Sequence, residues 1–299
     1  MSLHPGRLFL KEYSSTTIEG PEDIERYTAF LLREARTDEE PPIDLGPIFS
    51  RFNLATPKYV PLAGQQGVLL DPEMGLMLIE VRDPVTRQRF TEAHELIEML
   101  FAVLPTQPRA SARDIGKFKY QTKERLCNAG AGALLMPAST FLPRIKRLGV
   151  SFETARVLAN EYEVSLSAAL IRMATIGPGI HAVVLWRMKN KPSEVKSRVP
   201  EQQMVLLEVS PAKIAPPKLR VEWSFTGRSS HFIPKDKSVP VTSSIHSAWH
   251  TRSFCAGNDR LELGRTKGNF YSESLPFATN GEWKVLSLLH LPGDTDCRF

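Results

Sequence analysis

The sequence has few cysteines and no long apolar segment. Cys127, Cys255 and Cys297 are its only cysteines, and they are far apart, which argues against a disulfide framework. No run approaches the roughly 20 apolar residues that cross a bilayer, so we expect no membrane partner. Residues 1–15 lack an apolar core followed by a small-residue cleavage site, so we expect no secretory signal. These absences favour a cytoplasmic protein.

A dense run of charge of either sign is also absent. The net charge is +5, from 38 Lys and Arg against 33 Asp and Glu. Residues 177–299 carry 17 basic against 11 acidic residues, so the positive excess lies in that part of the chain. Because the excess is thinly spread, a solvated surface explains it better than an anionic partner.

The N-terminal part of the sequence mixes helical and strand patterns. Residues 20–37 have acids in the first turn and an arginine near the end, which predicts a helix. Short apolar runs within residues 58–81 predict a small antiparallel sheet. Apolar periodicity predicts an amphipathic helix at 85–104 and a second helix at 122–137, with a loop at 105–120 between them.

The rest of the sequence divides into a helical segment and a β-rich part. Residues 138–176 predict two or three helices, for which Ser151 and Ser165 are natural N-caps. After residue 177, short apolar runs predict strands at 180–188, 203–209, 219–225 and 283–291. Together these patterns predict an α+β protein with a domain boundary near residue 177.

The segment RFTEAHELIEML, residues 89–100, raises the question of a metal site. On a helix, His94 and Glu98 lie one turn apart on the same edge of the apolar stripe, and Glu95 lies slightly farther round. In His-Glu-x-x-His zinc peptidases, the first and fifth positions bind the metal and the second supplies the general base. Here the pattern is HExxE. Taken alone, it is more typical of a solvated amphipathic helix than of a metal site.

Three segments together resemble the ImmA/IrrE family of bacterial metallopeptidases. They are RQRFTEAHEL, KERLCNAGAGALLMP and LANEYEVSLSAAL, in the order of the family's own pattern, and the resemblance covers residues 20–176. It implies a zincin-like helical peptidase domain at 1–137, which contains the small sheet, and a helix-turn-helix-like segment at 138–176. The β-rich residues 177–299 suggest the radiation-response IrrE branch, whose members add a GAF-like domain.

The resemblance implies a role for each of four residues. His94 matches the first zinc ligand, Glu95 the general base and Glu124 the glutamate ligand. Glu98 stands where the family has its second histidine. One histidine with two carboxylates weakens the Lewis acidity of zinc and makes manganese a better competitor. Three interpretations stay open: a working site with Glu98 as a ligand, a weakened site and a pseudoenzyme.

Other residues near the motif have simpler predicted roles. Cys127 lies one turn from Glu124, and we predict a small core residue rather than a ligand. Gly130 and Gly132 are predicted to permit close helix packing. The histidines after residue 177 are predicted to be isolated core or surface residues, and they are His181, His231, His246, His250 and His290.

Two functions follow from the resemblance. The first is a metal-dependent endopeptidase that cleaves a regulatory protein, such as a helix-turn-helix transcriptional repressor, in a stress response. The second is a non-catalytic regulator that binds a repressor or DNA. DNA is the less favoured partner, because Arg172 is the only basic residue in the predicted recognition helix. A GAF-like domain implies a small-molecule ligand, but no residues in the sequence point to its site.

Overall fold

The computed structural model describes residues 4–13, 17–18, 20–104, 114–196, 216–227 and 231–292, with the backbone alone for 114–121 and 195–196. The chain forms two compact units. One comprises Met1–Gly149 and Glu153–Arg172, and the other comprises Val150–Phe152 and Met173–Phe299.

The first unit combines helices with a small sheet. In chain order, its elements are α1 (Pro5–Glu12), α2 (Pro21–Ala35), α3 (Gly46–Arg51), β1 (Lys58–Val60), β2 (Gly67–Asp71), β3 (Leu76–Glu80), α4 (Val85–Ala102), α5 (Asp114–Leu135), α6 (Ala138–Leu148), α7 (Phe152–Glu161) and α8 (Leu166–Ile176). The first residue of α7 and the last four of α8 belong to the second unit.

Helix α2 begins and ends as its sequence predicts. Pro21 occupies the first helical position, where its missing N–H costs nothing. Glu22 and Asp23 complement the positive end of the helix dipole. Arg36 adopts the left-handed conformation that ends the helix, and the buried Tyr27 packs edge-on against a ring of α1.

The small sheet has the strand order β1-β3-β2, and its pairing differs in part from the prediction. Strand β2 pairs antiparallel with β3, as expected, but β1 pairs parallel with β3. The chain crosses from β1 to the far side of β3 before it forms β2, so β1 and β3 run in the same direction. Among the described residues β2 is an edge strand, and α4 packs against β2 and β3.

Helix α4 is the centre of the first unit. It packs against α1, α5 and the sheet, and it buries Ala93, Leu96, Ile97 and Leu100 completely. Its partner α5 begins at Asp114, inside the segment predicted to be a loop. Aspartate is favoured at a helix start, but the two prolines at 105 and 108 pointed to a loop and masked this signal. The preceding part of the predicted loop lies outside the described residues.

Helices α6, α7 and α8 occupy the segment that was predicted to be helical. Ser165 caps α8, because its Oγ accepts a hydrogen bond of 3.2 Å from the backbone N–H of Ala168. Arg172 on α8 is 3% exposed. Its Nε donates to the carbonyl oxygen of Met136 at 3.0 Å, and its guanidinium forms an ion pair with Glu25. Arg172 therefore makes its contacts inside the first unit.

The second unit is built on an antiparallel sheet. Its elements are β4 (Ile180–Lys189), α9 (Pro192–Lys196), β5 (Lys218–Thr226), α10 (Ser244–Thr251), β6 (Cys255–Leu263), β7 (Thr266–Thr279) and β8 (Glu282–Leu291). The strand order is β5-β4-β8-β7-β6, and α10 packs on β6, β7 and β8. Trp186 is fully buried in this core, and its Nε1 donates to Ser287 Oγ at 2.9 Å.

The strand predictions for the second unit are partly confirmed. Strands are present at 180–188, 219–225 and 283–291, whereas 203–209 lies outside the described residues. Strands β6 and β7 were not predicted, because polar residues alternate with apolar ones along β6 and interrupt the apolar run that serves as the signal. In the ranges that the structure describes, no helix is both long enough and apolar enough to cross a membrane.

Candidate metal centre

Helices α4 and α5 bring the predicted metal ligands together. His94 and Glu98 lie one turn apart on α4, and Glu124 lies on α5, which packs against it. The Nε2 atom of His94 lies 3.8 Å from Oε2 of Glu98 and 3.8 Å from Oε2 of Glu124. All three side chains are partly exposed, so solvent reaches the space between them.

The donor atoms suit a divalent ion. Two ligands that each lie about 2.1 Å from a tetrahedral zinc ion are about 3.4 Å apart. The 3.8 Å separations around His94 Nε2 are only slightly larger than this. Imidazole nitrogen and carboxylate oxygen are zinc ligands, and carboxylate oxygen also suits manganese. The donor types of His94, Glu98 and Glu124 therefore fit the metal that the resemblance implies. Glu124 is close to His94 but is not part of the group whose donor atoms all lie within 4.8 Å of one another.

Asn128 orients the histidine of this group, a role that the sequence analysis missed. Its Oδ1 lies 3.2 Å from Nδ1 of His94. An amide oxygen accepts hydrogen bonds but does not donate them, which assigns the proton to Nδ1 and leaves the lone pair on Nε2. The available signal was its spacing, since Asn128 follows Glu124 by one helical turn on α5.

Glu95, the predicted general base, is buried between α4 and β2. Its side chain is near Gly67 of β2, where an added Cβ would lie 3.1 Å from Oε1 of Glu95 and 2.3 Å from Cγ2 of Thr91. A glycine at this position therefore lets the strand approach the helix. Burial, followed by the like charges of Glu98 and Glu124, raises the pKa of Glu95 to about 7.

Lys123 is a further charged residue of the site that sequence reasoning missed. Its Nζ donates to Oε1 of Glu98 at 2.6 Å. Burial is the largest single influence and opposes the charged form, but the hydrogen bond to Glu98 and the negative charges nearby together raise the pKa of Lys123. One carboxylate oxygen of Glu98 thus accepts a hydrogen bond from an ammonium group while the other faces His94.

Cys127 is completely buried, as predicted for a core residue, but it also lies in the candidate site. Among the described residues, His94, Glu98 and Cys127 are the one group of three potential ligands whose donor atoms all lie within 4.8 Å of one another. Burial, followed by the charge of Glu98, raises the pKa of the Cys127 thiol.

Gly130 and Gly132 of α5 differ in their surroundings. An added Cβ at Gly130 would lie 2.7 Å from Cγ2 of Ile24 and 2.8 Å from Cγ1 of Ile97, so Gly130 permits close helix packing as predicted. At Gly132, the nearest atom is Cε of Met136 at 4.0 Å. The packing prediction is therefore wrong for Gly132.

The prediction that the C-terminal histidines are isolated is wrong for one pair. His181 on β4 and His290 on β8 are register partners, and their ring centroids are 4.8 Å apart. Nε2 of His290 lies 3.1 Å from Oε1 of Glu273 on β7. His246 and His250 lie one turn apart on α10.

The chain is similar to known proteins over its first unit. Residues 59–174 match the family described as the IrrE N-terminal-like domain. The radiation response metalloprotease IrrE of Deinococcus deserti is 36% identical over 124 residues, which cover 40% of this chain and 44% of that protein. The protein of the same name from Deinococcus radiodurans is 34% identical over 130 residues, covering 42% of this chain and 39% of that protein. The match thus spans less than half of either relative.

A solved structure shares the fold over more of the chain. A transcriptional regulator of Mycobacterium tuberculosis has a TM-score of 0.58 to this structure, and the match covers 97% of this chain and 81% of that chain. Its sequence identity is 12%, so the similarity concerns the fold alone.

Proposed function

Since the chain belongs, through residues 59–174, to the ImmA/IrrE family of metallopeptidases, we propose that it is a metal-dependent endopeptidase. The proposed substrate is a regulatory protein such as a helix-turn-helix transcriptional repressor. The name of the two relatives, radiation response metalloprotease, supports a role in a stress response. Zinc is the proposed ion and manganese is the alternative.

The proposal rests on two carboxylates that lie beside the same imidazole nitrogen. Oxygens of Glu98 and Glu124 each lie 3.8 Å from Nε2 of His94, while Asn128 occupies Nδ1. A divalent ion bound there would account for two carboxylates from different helices beside the free nitrogen of an oriented histidine. We therefore assign metal ligation to His94, Glu98 and Glu124.

The residues around this site suit peptide hydrolysis. A divalent ion held by these residues would supply Lewis-acid chemistry for the scissile carbonyl and the attacking water. Glu95 accepts the proton of the attacking water and delivers it to the departing amine. Asn128 keeps the His94 lone pair on Nε2, and Lys123 offsets part of the negative charge of the three carboxylates.

Metal content and cleavage, measured on the same variants, test the proposal. We expect stoichiometric zinc in the wild type and in His250→Ala, which changes an exposed histidine, but not in His94→Ala. Glu95→Gln should keep the metal and lose about 10²- to 10⁴-fold in cleavage of a cognate repressor. Equal metal in the wild type and His94→Ala would exclude this site.

The Lys123–Glu98 ion pair favours a second function, that of a non-catalytic regulator. At 2.6 Å, the ammonium competes with a metal ion for the Glu98 carboxylate. In that case the same surface binds a repressor without cutting it. Repressor binding that is unchanged in Glu95→Gln, with no cleavage by the wild type after zinc loading, would select this function.

The second unit supplies support for the proposed small-molecule ligand of a GAF-like domain. A cavity of 440 Å³ lies beside β5, and its lining includes Lys218, His246 and Arg260. This volume is in the range of ligand pockets, and the lining carries Lys218 and Arg260 against one acid, Glu262, a balance that suits an anionic ligand. A thermal-shift screen of small anions tests the assignment, with Arg260→Ala expected to abolish any shift.

A further inference from the structure

We propose that Cys127 is an additional ligand of the ion at His94 and Glu98, which makes the centre a mixed nitrogen, oxygen and sulfur site. This inference rests on the metal centre proposed above and adds a ligand that the HExxE motif does not contain. It also changes the metal preference, because a thiolate favours zinc over manganese.

The position of Cys127 carries the argument. It follows Glu124 by three residues on α5, so both side chains lie on the face of that helix that packs against α4. Its Sγ and the ligand atoms of His94 and Glu98 all lie within 4.8 Å of one another. Cys127 forms no disulfide, and no part of it is exposed. A sulfur atom in this position needs only a small contraction of the site to reach an ion held by His94 and Glu98.

Burial and the nearby carboxylates disfavour a free thiolate at Cys127, so the thiolate forms only with the ion bound. On coordination the S–H bond breaks, the sulfur–metal bond forms and the proton leaves to solvent. The resulting negative charge adds to those of Glu98 and Glu124. Lys123, 2.6 Å from Glu98, supplies a fixed positive charge beside the site that offsets part of this sum.

Cobalt substitution tests the proposal without any measurement of activity. Cobalt(II) bound by a thiolate has a strong near-ultraviolet charge-transfer band that purely nitrogen- and oxygen-bound cobalt lacks. We expect this band in the reduced, cobalt-loaded wild type and its loss in Cys127→Ser. The double variant Cys255→Ser/Cys297→Ser, in which Cys127 is the only cysteine, should keep the band. If Cys127→Ser does not fold, this double variant still tests whether Cys127 gives the band.

The outcomes separate this inference from the proposed function. If cobalt binding depends on His94 but the charge-transfer band is absent, thiolate ligation is overturned and the metal centre remains. A band that persists in folded Cys127→Ser, or is absent from the Cys255→Ser/Cys297→Ser variant, would also overturn it. Equal cobalt binding in the wild type and His94→Ala would remove the metal centre itself. In support, zinc affinity should fall in Cys127→Ser by about tenfold or more, and manganese affinity by less.

Discussion

The Nδ1 atom of His94 lies 3.2 Å from Oδ1 of Asn128, a contact that joins α4 to α5. It gives the imidazole one orientation and one tautomer, with Nε2 facing the carboxylates of Glu98 and Glu124. Glu124 and Asn128 lie one turn apart, so a single face of α5 supplies both a ligand and the group that orients another ligand.

Asn128→Ala should therefore weaken metal binding without removing any ligand. Loss of a hydrogen bond that orients a metal-bound histidine typically lowers affinity by about 10- to 100-fold. Asn128→Asp retains an acceptor and should lose less. Asn160→Ala, at an exposed position of α7, serves as the control, and competition with a chelator measures the affinities. Equal zinc affinity in Asn128→Ala and the control would contradict the orienting role.

Glu98→His should bind zinc more tightly than the wild type. The substitution rebuilds the two-histidine geometry on α4, removes a negative charge and ends the ion pair with Lys123. Glu98→Ala should bind less zinc than the wild type, since it loses a ligand. Isothermal titration with zinc checks the order of the three proteins. If Glu98→His binds no better than Glu98→Ala, residue 98 is not a ligand position.

Gly130 and Gly132 of α5 should respond in opposite ways to alanine. At Gly130 the new methyl group would overlap Ile24 and Ile97, and such overpacking costs about 1–3 kcal/mol. At Gly132 a methyl group has room, and alanine in a helix interior gains about 0.5–1 kcal/mol over glycine. Thermal denaturation of the metal-free proteins measures both. A stabilised Gly130→Ala would contradict the packing of α5 against α2 and α4.

The sequence was sufficient to predict those features of the site that depend on the spacing of residues along one helix. The i, i+4 relation of His94 and Glu98 places them on one helix face whatever the tertiary structure, and the order of segments pointed to Glu124. The parts that were missed depend on how α4 and α5 lie against each other. Lys123 reaches Glu98 and Cys127 approaches the donor atoms through that packing, which no local pattern encodes. The parallel pairing of β1 is likewise a product of the chain's path around β3.

Glu80 should make the first unit more stable above pH 4.5 than near pH 2. Its carboxylate accepts hydrogen bonds from the side chain and backbone N–H of Arg82 and from the backbone N–H of Leu62. The side-chain hydrogen bond from Arg82 is the main cause that lowers the pKa of Glu80 from 4.5 to about 2. Between these values the unfolded chain binds the proton more readily, so stability falls as pH falls.

Acid titration followed by circular dichroism checks this expectation. The difference in unfolding free energy between the wild type and Glu80→Gln should be largest above pH 4.5 and shrink toward pH 2. Glu153→Gln, whose side chain is 68% exposed, should show little pH-dependent difference. If the difference in unfolding free energy between the wild type and Glu80→Gln is the same at every pH, the hydrogen bonds of Glu80 do not depend on its ionisation.

Arg172→Glu should destabilise the fold rather than act on DNA. The substitution puts a carboxylate beside Glu25, removes the hydrogen bond to the Met136 carbonyl and buries an unpaired charge. Breaking a buried ion pair from one side costs about 3–5 kcal/mol, and the partial exposure of Glu25 places this case toward the lower value. Arg147→Glu, at an exposed position of α6, should leave the melting temperature nearly unchanged. A folded, equally stable Arg172→Glu protein that had lost DNA affinity, with a reduced salt slope, would instead identify Arg172 as a phosphate contact.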